Sequence, residues 1–347
     1  MTVSDIGPDI ADSHAGHRAY ETPRKSPGRL WPTFVATALG AGIIIWMLTI
    51  VGLTPLFAAF REANYIWLLV AIALGLAATV LRAKRFELFF PHHLGFPRIY
   101  GIFALARPLN VILPFRSGEL LMLFLLKRYR AVPSVTESIP VWAVIKTSDV
   151  LALVALLAIL FAFVSGIFEH YASYLWIGMG LAILACVLGV VAMWGVRSWS
   201  PADPNSRVGQ LVRALQDGGM RLRSSRRLGA CLILALAIAT LLVGAQSLAQ
   251  VAFVTELPFA GIVAVAVTGL VASLLPFHAP MGIGTGDLVW VGTMTVFGMP
   301  LEQGVAIALS MRVVVIITIV LDGIIGAAIL ARVTTVPTTG LSSNQST

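Results

Sequence analysis

Apolar residues run through this chain in long blocks, with most of the polar residues gathered between them. Blocks at 33–53, 65–81, 139–164, 171–196, 228–254 and 303–331 approach or exceed the ~20 residues that a helix needs to cross a ~30 Å hydrocarbon core. Each is predicted as a transmembrane helix, because a helix satisfies its backbone N–H and C=O groups internally where no water can. Two other apolar stretches are interrupted. The stretch 99–126 is broken at Arg107-Pro108 and again at Pro114, which leaves arms of about 14 residues that rise only ~21 Å. The stretch 259–299 is broken at Pro276, Pro280 and the series Gly282, Gly284, Gly286. Both are predicted as broken re-entrant hairpins, although the arms of the second are long enough to leave two full spans open.

The two interruptions share a pattern. In the first, Asn110 and Leu113-Pro114-Phe115 precede Arg116, Gly118 and Glu119; in the second, Leu275-Pro276-Phe277 precedes the proline and glycine series and Asp287. The tripeptide alone is cheap, since it recurs at Leu257-Pro258-Phe259. The combination of break, glycine, acid and position counts for more, because broken helices in corresponding halves of a membrane protein point to a transport site. The order is span, span, hairpin, span in 31–164 and again in 171–332, and by parity the second half has the opposite sense. The acids are followed by a cation in the next span at similar offsets, 27 residues from Glu119 to Lys146 and 25 from Asp287 to Arg312. The expected fold is therefore an all-α polytopic membrane protein built as an inverted repeat, each half carrying about three spans and one hairpin.

Composition agrees: 58% of the 347 residues are hydrophobic and 12% charged, with a mean hydropathy of +0.90, which excludes a soluble globular chain. The net charge of +8 does not indicate nucleic acid, because the cations sort to one side of the membrane. Arg18, Arg24, Lys25 and Arg29 precede the first span; Arg82, Lys84, Arg85 and Arg98 follow the second; Lys127, Arg128 and Arg130 precede the third; the loop 197–227 is rich in Arg; Arg61 lies alone on the other face. Both termini are thus expected in the cytoplasm of a cell with this protein in its inner membrane. Segments 1–30 and 333–347 read as disordered tails around a membrane domain at 31–332. Within the basic loop, Val208, Leu211, Val212, Leu215 and Leu222 share a helical face, which fits either a helix on the anionic inner leaflet or a loop that only follows the charge rule.

Eight ionisable residues fall at membrane depth: Arg107, Arg116, Lys146 and Arg312 against Glu119, Asp149, Asp287 and Asp322. Such groups are costly in lipid and should pair or line a wet cavity. A spacing of three suggests the local pairs Arg116 with Glu119 and Lys146 with Asp149. Arg116, Lys146 and Arg312 could receive an anionic headgroup, helped by backbone amides at the breaks, and Glu119 and Asp287 could carry protons. The alternative is that these are internal ion pairs that orient helices, and this is preferred for Arg107, which could snorkel, and Asp322, near the end of its span. His278 is read as a structural group. His92-His93 lacks further ligands at metal spacing, Cys186 and Cys231 read as ordinary span residues, and Trp31, Trp67, Trp142 and Trp199 read as interfacial belts. With no Walker A sequence, nucleophile elbow or HExxH, no enzyme activity, cofactor or metal is expected.

Asn110, Leu113-Pro114, Arg116, Gly118-Glu119, the turn at Lys127-Arg128 and Asp149 resemble the lysylphosphatidylglycerol synthase transmembrane region, also described as a flippase-like integral membrane family. Pro280, Gly282, Gly284, Asp287 and Arg312 are similar to that family's second segment, with Asp287 where its pattern leads one to expect Glu. The resemblance covers 30–332 and implies the flippase-like part alone, since members that aminoacylate lipids carry a cytosolic transferase domain that is not seen after the last span. Residues and resemblance together predict a protein that moves a lipid or lipid-linked headgroup, anionic or zwitterionic, between leaflets. Three alternatives stay open: a transporter of a small soluble anion, a non-catalytic partner of a lipid-modifying or glycosyl-transferring enzyme, and, more weakly, an intramembrane enzyme.

Overall fold

The computed structural model describes residues 53–90, 95–112, 117–129, 131–132, 134–164, 206–220, 222, 224–253, 256–273 and 285–334, with scattered positions between 179 and 195. The chain is all-helical there, without a strand among the described residues. Its helices are α1 (Leu53–Glu62), α2 (Tyr65–Glu87), α3 (Phe96–Ile112), α4 (Ser117–Arg128), α5 (Val135–Val164), α6 (Arg207–Met220), α7 (Ser225–Ala252), α8 (Phe259–Ala272), α9 (Thr285–Val296) and α10 (Leu301–Thr334). The predicted span at 33–53 lies outside the described residues except for its last position, as does most of 171–196.

Helices α2, α5, α7 and α10 are apolar and 23, 30, 28 and 34 residues long, enough for ~35–50 Å of rise and hence for a crossing. The starts of α2, α5 and α7 are fixed by side chains that accept otherwise orphaned amides. Asn64 accepts from Ile66 and Trp67, Ser134 from Glu137 at 3.1 Å, and Ser224 from Arg227. The remaining membrane elements are short: α3 has 17 residues, α4 12, α8 14 and α9 12, or roughly 18–26 Å each. They pack in two pairs, α3 on α4 and α8 on α9. Among the described residues the segment 259–299 contributes two short helices, and the break expected at Arg107-Pro108 does not occur, because α3 continues through it with Pro108 inside.

The packing partners follow a simple rule. Helix α2 lies against α7. Beyond that contact, α3 packs on α10 as α8 packs on α5, α2 on α3 as α7 on α8, α4 on α5 as α9 on α10, and α2 on α10 as α7 on α5. Exchanging α2–α5 with α7–α10 leaves these contacts unchanged, whereas the smaller contact of α7 with α10 has no counterpart of its size between α2 and α5. Small residues permit the closest approaches. A Cβ on Gly326 of α10 would stand 2.5 Å from the Leu105 amide nitrogen of α3, and one on Gly323 would stand 2.8 Å from Pro108 Cγ.

The outside of this bundle is apolar and the inside is partly polar, as the bilayer demands. Phe163, Ile233 and Ile66 are exposed, which carries little penalty where the surroundings are hydrocarbon. Thr79, Arg85, Gln250, Asp287, Ser310 and Asp322 are buried, where partners are available to them. The stretch 207–220 of the basic loop is helical and docks on the start of α5, where a Cβ on Gly218 would collide with the Glu137 carbonyl. Val212 is buried, whereas Leu211, expected on the same face, is exposed.

Candidate functional site

The two short helices that follow the breaks open identically, with a hydroxyl residue, glycine and acid: Ser117-Gly118-Glu119 in α4 and Thr285-Gly286-Asp287 in α9. Each acid sits in the first turn, where the unpaired amides and the helix dipole favour negative charge. Each also meets the twelfth residue of the next long helix, Lys146 of α5 or Arg312 of α10. Lys146 Nζ donates to Glu119 Oε1 at 2.5 Å. Arg312 holds Asp287 Oδ1 through Nε at 2.8 Å and Nη2 at 2.7 Å. Gly118 is needed where α4 meets α3, since a Cβ there would stand 2.6 Å from the Asn110 amide nitrogen, whereas one on Gly286 would stand 3.0 Å from Arg312 Nη2, the end of a flexible side chain.

The local pair expected between Lys146 and Asp149 does not form. Asp149 instead takes Arg85 of α2 at 2.6 Å, which leaves Lys146 for Glu119. The physical reason is burial. Arg85 has 2% exposure, and a Lys146–Asp149 pair would strand it without a counter-charge, at several kcal/mol. Arg82 and Arg85, counted above with the cytoplasmic connector, lie instead within α2, which runs on to Glu87. Arg107 and Asp322 are likewise not peripheral. They form an ion pair, in which Thr79 Oγ1 donates to Asp322 Oδ2 at 2.9 Å and accepts from Arg107 at 3.0 Å.

All four pairs border one cavity of about 420 Å³, within the ~300–1,000 Å³ usual for small-molecule sites. Asn110, Glu119, Lys146 and Asp149 from the first half line it together with Gly286 and Arg312 from the second. Asp287 stands behind Arg312 with 0% exposure. Arg116, Pro114, Pro276, Pro280, Gly282, Gly284 and His278 lie outside the described residues. Trp142, read from its position as an interfacial belt residue, lines the cavity 5.6 Å from Lys146 Nζ, and Trp290 stands in the wall 5.0 Å from the Arg312 guanidinium. Such stacking of a cation on an aromatic face contributes ~0.5–2 kcal/mol.

The walls carry unused hydrogen-bonding capacity. Arg85 Nε, Trp142 Nε1 and Trp290 Nε1 are buried donors, and Asn110 Oδ1 and Gln246 Oε1 buried acceptors, that find no partner among the described residues. A buried polar atom left unmade costs ~1–3 kcal/mol, and these five belong to residues that line one cavity. Of these residues only Asn110 was singled out from the sequence as a binding residue. The α2 contribution was legible as a stripe, since Gly75, Thr79, Arg82 and Phe86 recur at helical spacing. A hydropathy window that stops at the first charge hides it. Among the described residues no group of His, Cys, Asp and Glu could hold a metal ion.

A helical bundle with spanning helices, two pairs of short helices and paired charges around a central cavity defines a polytopic membrane protein with an intramembrane polar site. The profile of the family described as lysylphosphatidylglycerol synthase TM region matches residues 33–323, and the chain belongs to that family. No curated protein matches the chain significantly.

Proposed function

We propose that this protein moves the headgroup of a membrane lipid between leaflets through the charged cavity, while the acyl chains remain in the bilayer. The observation that carries the reading is the meeting of Glu119–Lys146 and Asp287–Arg312, equivalent pairs from the two halves, at one cavity inside the apolar bundle. In this reading α2–α5 and α7–α10 are halves of an inverted repeat in an inner membrane, both termini are cytoplasmic, and one half rocks against the other around the site. Lys146 and Glu119 side chains, 34% and 13% exposed, form the more open pair, and Arg312 and Asp287, 12% and 0%, the more closed one. A charge that keeps its counter-ion can bend toward an incoming phosphate or ammonium group at little desolvation cost, which is what a transit site needs. No bond is made or broken in this scheme, so no catalytic residue is assigned.

Leaflet-resolved accessibility of labelled phospholipids in liposomes tests it. The purified protein is expected to speed exchange, and Lys146→Met or Glu119→Gln to slow it at least tenfold. Exchange no faster than in empty liposomes for every lipid class would overturn the reading. Loss of function on replacing Arg226 and Arg227, with Lys146→Met fully active, would favour an enzyme-anchoring role instead.

A further inference from the structure

Among the described residues the charges around the cavity do not balance. Arg85, Arg107, Lys146 and Arg312 each hold an acid: Asp149, Asp322, Glu119 and Asp287. Arg82 also lines the cavity but has no hydrogen bond or ion pair among the described residues. It stands within electrostatic reach of Arg85, Arg107, Asp149 and Asp322, whose charges already cancel in pairs. We infer that Arg82 is the anion-binding residue of the cavity and that the group it takes is a phosphate bearing hydroxyl or amine substituents. The inference rests on the transport reading for its lipid context, but the site itself is argued independently.

Several features of the wall fit that group. Arg82 and Arg85 are three apart on α2 and share a face, and Arg85, almost fully buried, keeps Nε unused after its Nη1 has bonded Asp149. Two guanidinium groups are suited to a phosphate, whose oxygens accept several charge-assisted bonds at once. The indole N–H groups of Trp142 and Trp290 are two more unused donors. The unused oxygens of Asn110 and Gln246 can only accept, so they call for a donor such as a hydroxyl or ammonium on the same molecule. A bare carboxylate or halide would leave them empty. A phosphodiester headgroup and a soluble phosphate ester share this chemistry.

The test uses the full chain in a neutral detergent and the fluorescence of its tryptophans. The probes are inorganic phosphate, glycerol 3-phosphate, dihexanoyl phosphatidylglycerol and dihexanoylglycerol. The wild type is expected to bind the two phosphate esters and not dihexanoylglycerol. Arg82→Gln should weaken phosphate-ester binding at least tenfold, Arg82→Lys less, and Arg61→Gln, at an exposed arginine, not at all. Because Arg82 neutralises no acid, Arg82→Gln should melt at or above the wild-type temperature, whereas Arg85→Gln should melt below it. Equal binding by Arg82→Gln and wild type, or a loss of stability matching that of Arg85→Gln, would overturn the inference. Tighter binding of the dihexanoyl lipid than of glycerol 3-phosphate supports a lipid source, and equal binding a soluble ester; either retains the site. Arg82-dependent binding without lipid exchange in liposomes would leave the inference standing and remove the transport reading. Lipid exchange that is indifferent to Arg82 would do the reverse.

Discussion

Replacing Arg312 by Met should destabilise the protein far more than replacing Lys146 by Met, although the two occupy equivalent positions. Asp287 has 0% exposure, and Arg312 Nε and Nη2 both donate to one of its oxygens. Removing the guanidinium leaves a carboxylate sealed in the bundle, and breaking such a buried pair costs ~3–5 kcal/mol. The Lys146 and Glu119 side chains are 34% and 13% exposed, so cavity water can solvate the survivor, and the loss there should be about 1 kcal/mol or less. The assay is equilibrium unfolding in mixed micelles with a denaturing detergent, followed by circular dichroism. The double variant Arg312→Met with Asp287→Leu completes the comparison, because it removes the stranded charge and should regain most of the stability. Equal losses for Arg312→Met and Lys146→Met, or a double variant no better than the single one, would refute the claim that burial of Asp287 sets the cost.

Other substitutions probe the close approaches and the buried network. Gly118→Ala puts a methyl group into the Asn110 backbone and should abolish monodisperse folded protein in size-exclusion chromatography. Gly286→Ala meets only the end of the Arg312 side chain and should fold while slowing lipid exchange. Thr79→Val deletes the donor to Asp322 and the acceptor for Arg107, which should lower stability by ~1–3 kcal/mol in the same unfolding assay. Ile233→Ala, at a site 71% exposed toward lipid, should change stability by no more than ~0.5 kcal/mol.

Much of this architecture could be read from the chain because lipid imposes strict rules on backbone and charge. Four of the six long apolar blocks became α2, α5, α7 and α10, and short helices flank Pro114 and the second proline and glycine series, whereas α3 runs on through the expected break at Arg107-Pro108. Glu119, Lys146, Asp287 and Arg312 were found because each interrupted a run that hydrocarbon would otherwise keep apolar. Partner choice was less visible. Local spacing favoured Lys146 with Asp149, but pairing is decided by which charges tertiary packing buries, and Arg85 enters from a helix 64 residues away. Arg82 and Arg85 were misplaced for the same reason, since a paired or cavity-facing arginine can extend a span that hydropathy alone would end. Trp142 looked interfacial by its place in the chain. Only the tertiary packing, which sets Trp142 among the cavity-lining residues, shows that it faces the cavity.

The central claim, a cavity shared by both halves and reached in turn from each side, is tested most directly by cysteine accessibility. Cys186 and Cys231, both buried, are first replaced by Ala, and single cysteines are placed at the cavity-lining positions Leu242 and Ile316. Membrane-impermeant maleimides are then applied to oriented vesicles from one side at a time. The account predicts that each cysteine reacts from both sides, and that short-chain phosphatidylglycerol shifts the ratio of the two rates. Reaction from one side only, unchanged by any lipid, would contradict it.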